Sequence, residues 1–221
     1  MAQASVLKFR NARPKTVSVQ NRNHDMFISI RRIKMATGME DSIADTIESG
    51  RPIFLVGFMG AGKTTVGKVL AKKLKRKFID LDALIEEKAG RQVAEIFAQS
   101  GEQAFRELER ETIRSLEGAN HAVVALGGGC YVAPANRDQL RGLGVTIWID
   151  CPIGVCWSRI SSHRFRPLLG TIDDMEKLLA AREPAYREAD IRIQAGKNGP
   201  DKVALAIIEA LRRSAASRLP F

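Results

Sequence analysis

The chain has 221 residues, 45% of them hydrophobic, with three cysteines and a formal net charge of +10. That length supports one well-buried core, and no run of 18 apolar residues exists to span a membrane. Residues 1–34 hold eight Lys or Arg against the single acid Asp25, so the other 187 residues carry only +3, and the charge gives no reason to expect nucleic acid as a partner of the body.

In chain order, the first 50 residues read as a basic N-terminal extension, flexible and without a strong period, whose main apolar cluster is Phe27-Ile-Ser-Ile30. Arg10, Arg13 and Arg22 with no acid before Asp25 also resemble an organellar transit peptide, against the simpler reading of a cytoplasmic extension. Met35 and Met39 are alternative starts, and Asp41 to Ser49 could form a short helix. The body then alternates. Strand Ile53–Val56 precedes a helix over Thr65 to Lys75, and strand Lys77–Ile79 precedes helices Ala83 to Lys88 and Val93 to Gln99, stopped by Gly90 and Gly101. A long helix over Glu102 to Glu117 leads to strands Ala122–Leu126 and Val145–Ile149. Helices Ile153 to Ile160 and Asp174 to Glu183, strand Ile191–Ile193 and a closing helix Pro200 to Arg213 complete the body, with a short tail over 215–221. Strands alternating with helices predict a parallel sheet covered on both faces, in one domain over residues 51–214.

Gly57-Phe-Met-Gly-Ala-Gly-Lys-Thr64 fits the phosphate-binding loop G-x-x-x-x-G-K-[ST] at every fixed position, between a strand and a helix. Glycines let the backbone turn so that successive N–H groups face phosphate oxygens, and the following helix N-terminus favours an anion. Lys63 would reach the β- and γ-phosphates and the Thr64 hydroxyl would sit on Mg²⁺. This loop indicates a nucleotide but not a reaction.

Four further features narrow it. Asp80-Leu-Asp82 ends a strand, where ligands of open α/β sheets bind, and extended alternation would send both carboxylates to one side. One could support Mg²⁺ and the other accept a hydroxyl proton, unless Asp82 only caps the next helix. Gly127-Gly-Gly129 ends another strand and would admit a ligand against bare backbone, or merely turn the chain. Arg106, Arg166 and Arg182 could grip carboxylate or phosphate, although Arg106 alone could equally pair with Glu102 or Glu109. Ser161 to Thr171, with His163, Arg164 and Arg166, suits a lid over the triphosphate or a plain solvated loop. Cys130, Cys151 and Cys156 form no C-x-x-C, read as core filler and suit a reducing compartment. His24, His121 and His163 are too scattered for a zinc or Ser-His-Asp site.

Together with Gly101-Glu-Gln-Ala-Phe-Arg106, Leu126-Gly-Gly-Gly129, Arg166-Pro-Leu-Leu169 and Arg182-Glu-Pro-Ala-Tyr186, the phosphate loop makes the body, about residues 51–212, resemble the shikimate kinase family. The resemblance implies a three-layer α/β P-loop kinase fold, with a central five-stranded parallel sheet, helices on both faces and a mobile lid. It implies transfer of the ATP γ-phosphate to the 3-hydroxyl of shikimate, on the route to chorismate and the aromatic amino acids. Carried onto this sequence, it puts shikimate on Asp82, Arg106, Gly128 and Arg182, and the ATP phosphates on Gly60, Ala61, Gly62, Lys63, Thr64 and Thr65. Thr64 and Asp80 would serve Mg²⁺, Arg159 would lie near adenine, and Lys63, Asp82 and Arg166 would carry the transfer. The adenine-loop region departs from the family pattern around Asn198, where relatives often carry a basic or amide side chain. The expected state is a cytoplasmic monomer acting on shikimate and ATP, with neither nucleic acid nor membrane as partner. A gluconate kinase of the same fold is the alternative, and a non-catalytic nucleotide or nucleic-acid binder the reading from another class. Intact Lys63, Thr64, Asp80 and Asp82 weigh against the binder.

Overall fold

The computed structural model describes residues 28–30, 46, 49–161 and 171–216. Its sheet contains β1 (Ile28–Ile30), β2 (Ile53–Val56), β3 (Lys77–Asp80), β4 (Ala122–Ala125), β5 (Val145–Asp150) and β6 (Ile191–Gln194), ordered β1-β6-β5-β2-β4-β3. The strands from β2 onward pair in parallel, with Phe54 opposite both Val124 and Thr146. Central strands buried on both faces need continuous apolar runs, and β2 and β4 are buried at every position. The edge strand β3 opens on exposed Lys77 and is half-buried beyond it. In β6, buried Ile191 and Ile193 alternate with half-buried Arg192 and Gln194.

One strand was not expected. Ile28–Ile30 runs antiparallel to β6, with Ile28 opposite Ile193, so the basic leader supplies a sixth, edge strand to the five-stranded parallel sheet.

The helices are α1 (Lys63–Leu74), α2 (Leu81–Ala89), α3 (Val93–Arg114), α4 (Pro134–Leu143), α5 (Ile153–Ser161), α6 (Ile172–Tyr186) and α7 (Pro200–Ala216). No helix among the described residues is long and apolar enough to cross a membrane. The break expected at Gly101 is a kink inside α3, where Gly101 holds φ 77 and ψ 175. Helix α4 and the 3₁₀ turn Cys130–Val132 before it had no counterpart in the sequence reading.

The chain leaves β2 toward β3 on one side and passes from β4 to β5 on the other. The carboxyl ends of β2 and β4 therefore border a crevice at the point where the strand order reverses, the place where open sheets bind ligands.

Candidate active site

The phosphate loop connects β2 to α1 through three glycines in the left-handed half of φ space, at 137° for Gly57, 75° for Gly60 and 95° for Gly62. A Cβ on Gly57 would lie 2.7 Å from the Ile149 carbonyl oxygen, and one on Gly60 2.7 Å from that of Cys156. Only glycine satisfies both the conformation and the space. Helix α1 starts at Lys63, two residues earlier than expected, with Gly62 as its N-cap and no side-chain cap bond. Its first N–H groups thus lack a side-chain acceptor, the arrangement an incoming phosphate satisfies.

Lys63 Nζ folds back on the loop, donating to the Gly57 oxygen at 2.8 Å and the Phe58 oxygen at 2.9 Å. Burial lowers its pKa to about 8, against opposing attraction from Asp82, Cys156 and Asp80 and in concert with repulsion from Arg182. Burial disfavours the ammonium charge, which a polyphosphate would stabilise.

The two acids divide differently from the expected alternation. Strand β3 ends at Asp80, so Asp82 rides on the first turn of α2 instead of an extended segment. Asp80 is the helix cap: its Oδ1 accepts from the Asp82 N–H at 3.2 Å, while its Oδ2 accepts from Thr64 Oγ1 at 2.9 Å. Capping, the alternative weighed for Asp82, thus belongs to Asp80.

Asp82 instead faces the triple glycine. A Cβ on Gly127 would stand 2.7 Å from Asp82 Oδ1, and one on Gly129 2.9 Å from Arg106 Nη2. At Gly128 the same atom would lie 3.4 Å from the Met59 amide nitrogen and 3.6 Å from Arg182 Nη1. The three glycines therefore let Asp82, Arg106, Arg182 and the phosphate loop converge on one bare turn of backbone.

Arg106 also forms the ion pairs weighed against a ligand role, at 3.0 Å to Glu102 and 3.1 Å to Glu109. Glu102 is exposed, but Glu109 is 1% exposed, and burial raises its pKa while Arg106 pulls it back down. Asn136 on α4 donates to Glu109 at 3.3 Å and to the Cys130 carbonyl at 3.0 Å, tying the pair to the glycine turn. Sequence reasoning had named Glu109 only as a surface partner and had not found Asn136. A charged residue in a helix's inward period was the available signal.

Arg159, expected near adenine, donates to the Gly60 and Ala61 carbonyls at 3.1 and 3.2 Å and to the Gly196 carbonyl at 3.4 Å. It clamps the phosphate loop to the turn after β6, the turn that holds Asn198. His163, Arg164 and Arg166, with the lid they were assigned to, lie outside the described residues. Thr65 is exposed on the first turn of α1 beside Thr64. All three cysteines are buried and free, as core filler should be.

The family model for shikimate kinase matches residues 59–212. A shikimate kinase from Geobacter sulfurreducens is 51% identical over 158 residues, covering 70% of this chain and 87% of the relative. One from a Sulfurihydrogenibium species is 41% identical over 162 residues, covering 73% and 98%. The solved shikimate kinase of Acinetobacter baumannii in complex with shikimate superposes with a TM-score of 0.72 at 33% identity, covering 80% of this chain and 99% of that one. A gluconokinase from Sinorhizobium meliloti reaches 0.53 at 17% identity, a likeness of fold alone. With the family model spanning most of the chain and these relatives matched over nearly their whole length, the chain belongs to the shikimate kinase family.

Proposed function

We propose that this protein transfers the γ-phosphoryl group of ATP to the 3-hydroxyl of shikimate. The convergence of Asp82, Arg106 and Arg182 on the Gly127–Gly129 turn, beside the phosphate loop, carries this reading. Shikimate is a small ring with hydroxyls and one carboxylate. Two guanidiniums match the acid and one carboxylate matches a hydroxyl. The hydroxyl oxygen attacks the γ-phosphorus, the bond to the β–γ bridging oxygen breaks, ADP leaves, and the hydroxyl proton passes to Asp82. Lys63 and the loop N–H groups hold the β- and γ-phosphates, and Arg166 adds charge from the lid segment. Arg159 sets the loop from behind.

The Thr64 hydroxyl and Asp80 carboxylate, 2.9 Å apart, are hard oxygen donors that fit Mg²⁺. No group of three or more His, Cys, Asp or Glu suited to a metal occurs among the described residues, in keeping with an ion held mainly by phosphate and water. Bound there, Mg²⁺ supplies charge neutralisation of the phosphates.

The protein is further proposed to act as a cytoplasmic monomer. Its exposed large apolar side chains, Phe97, Ile172 and Leu205 among the described residues, stand on three separate helices. Free buried thiols suit a reducing compartment.

A coupled ATP-consumption assay with shikimate, with gluconate and with no acceptor tests the reaction. Shikimate-dependent turnover supports the assignment. Turnover on gluconate alone would transfer it to the other kinase, and hydrolysis indifferent to either acid would remove the acceptor site altogether.

A further inference from the structure

Helix α6 carries Arg182 and Tyr186 four residues apart, a spacing that places both on one face. That face meets the glycine turn. Tyr186 is completely buried and packs on Trp148, ring centroids 6.1 Å apart, while Arg192 covers Trp148 at 4.5 Å. The ring is thus fixed from behind, and its hydroxyl has little freedom.

A tyrosine hydroxyl has one hydrogen to give and lone pairs to accept with. Here the hydrogen goes to the Gly128 carbonyl oxygen at 2.5 Å, and Arg182 Nη1 stands beside the same residue, 3.6 Å from where a Gly128 Cβ would lie. Burial lifts the phenol pKa to about 12, so the group stays a neutral donor throughout the working range. The direction of that bond is therefore set, from phenol to carbonyl, with the Arg182 guanidinium alongside. Because the peptide unit is planar and trans, holding the Gly128 carbonyl also fixes the direction of the Gly129 N–H.

We propose that Tyr186 is a positioning residue for the acceptor, its hydroxyl coupling Arg182 to the Gly128–Gly129 peptide so that guanidinium and backbone turn present one rigid surface to shikimate. The proposal rests on the shikimate reading above. It adds that Tyr186 touches no substrate and acts through two groups that do. Without the hydroxyl, the Gly128 carbonyl loses its donor and the turn beside Arg182 loses its anchor, while the ring and its packing remain.

Tyr186→Phe is the direct test, run at low temperature with steady-state kinetics and a thermal melt on the same preparation. The expected result is a shikimate KM raised about tenfold, with ATP KM within about twofold of wild type. In an Arg182→Ala background the same change should add less than about twofold to KM, since its partner is already gone. A lower melting temperature with unchanged shikimate KM would overturn the proposal and leave Tyr186 a structural residue. So would full multiplication of the two effects. Wild-type protein inactive on shikimate would defeat the shikimate reading itself, a different outcome. For a variant too unstable to assay, 3-fluorotyrosine replaces both tyrosines of the otherwise unmodified protein, with Tyr131→Phe serving only to assign the fluorine signals. The Tyr186 resonance should move on adding shikimate and stay in place with its methyl ester, which lacks the carboxylate Arg182 would hold. No movement with shikimate would refute the coupling.

Discussion

At the level of single residues, Lys63 shows how burial in the phosphate loop is set against the charge that the loop needs. Its folded pKa of about 8 lies below the ordinary 10.5 because burial strips the ammonium of water. Between those two values the unfolded chain keeps a proton that the folded chain has released, so this group makes stability rise with pH across that window. Below about pH 8 the charge is present in both states and its burial is a standing cost. A triphosphate reverses the preference. ATP should therefore bind with proton uptake at about pH 8.5 and with little at about pH 6.5, measured by calorimetry in two buffers of different ionisation enthalpy. Binding that takes up no proton at the higher pH would mean that Lys63 does not meet the phosphates. The acids make a second contrast. Asp82→Asn keeps shape but cannot accept the hydroxyl proton, and kcat should fall roughly 10²–10⁴-fold with shikimate still bound. Asp80→Asn should disturb Thr64 and the start of α2, raising the Mg²⁺ concentration needed and weakening Mg-ATP binding by calorimetry. Equal defects, both rescued by added Mg²⁺, would refute this division.

Among the elements, α3 carries Arg106 just past its kink. Gly101 sits at φ 77 and ψ 175, a region essentially closed to other residues, yet a Cβ there would meet nothing within 4 Å. The cost of Gly101→Ala is thus conformational, about 1–3 kcal/mol if the kink persists. A helix that straightens instead would swing Phe105 and Arg106 away from Gly129. In that second case shikimate KM should rise at least about tenfold while ATP KM holds, whereas a kink that persists should lower the melting temperature and leave KM near wild type, so kinetics and a thermal melt together decide it. Gly90→Ala, at φ 63 and equally open, is the control that should cost stability without touching KM. The same helix shows what could be read beforehand. Gly101 was visible as a stop because glycine interrupts a strong apolar period, and β2 and β4 were visible because strands buried on both faces must be apolar throughout. Helix α4 was not, because its only buried residues are Asn136 and Leu140, one of them polar, and so few apolar positions leave little to announce a helix. The alternation expected to send Asp82 to the side of Asp80 does not apply, since the strand stops two residues before Asp82 and the first helical turn directs it. The phosphate loop, the glycine turn and the approach of Arg106 and Arg182 to it were legible because their chemistry tolerates few residue types. Glu109, Asn136 and the Tyr186 bond were not, because each acts through a neighbour that only the fold supplies.

For the molecule as a whole, the open question is what the basic leader does beside a body that already contains the site. Charge and structure give the leader two separable parts. Residues 1–26 hold Lys8, Arg10, Arg13, Lys15 and Arg22 against Asp25, and residues 28–30 form β1 on the free edge of β6. An uncovered edge strand exposes unpaired N–H and C=O groups and invites another chain to pair. Removing residues 1–26 should leave kcat, shikimate KM and melting temperature nearly unchanged, and should weaken low-salt retention on an anionic surface by shedding net +4. Removing residues 1–34 sheds +7 and also strips β1 from β6. Beyond Asp190, β6 runs to the turn that Arg159 clamps to the phosphate loop through Gly196, so loosening β6 acts on the nucleotide side. The longer truncation should therefore show a lower melting temperature, concentration-dependent association by light scattering and a severalfold higher ATP KM, with shikimate KM held. Identical behaviour of the two truncations would mean that β1 contributes nothing to the body. Loss of shikimate affinity in the shorter one would mean instead that residues before β1 reach the acceptor side.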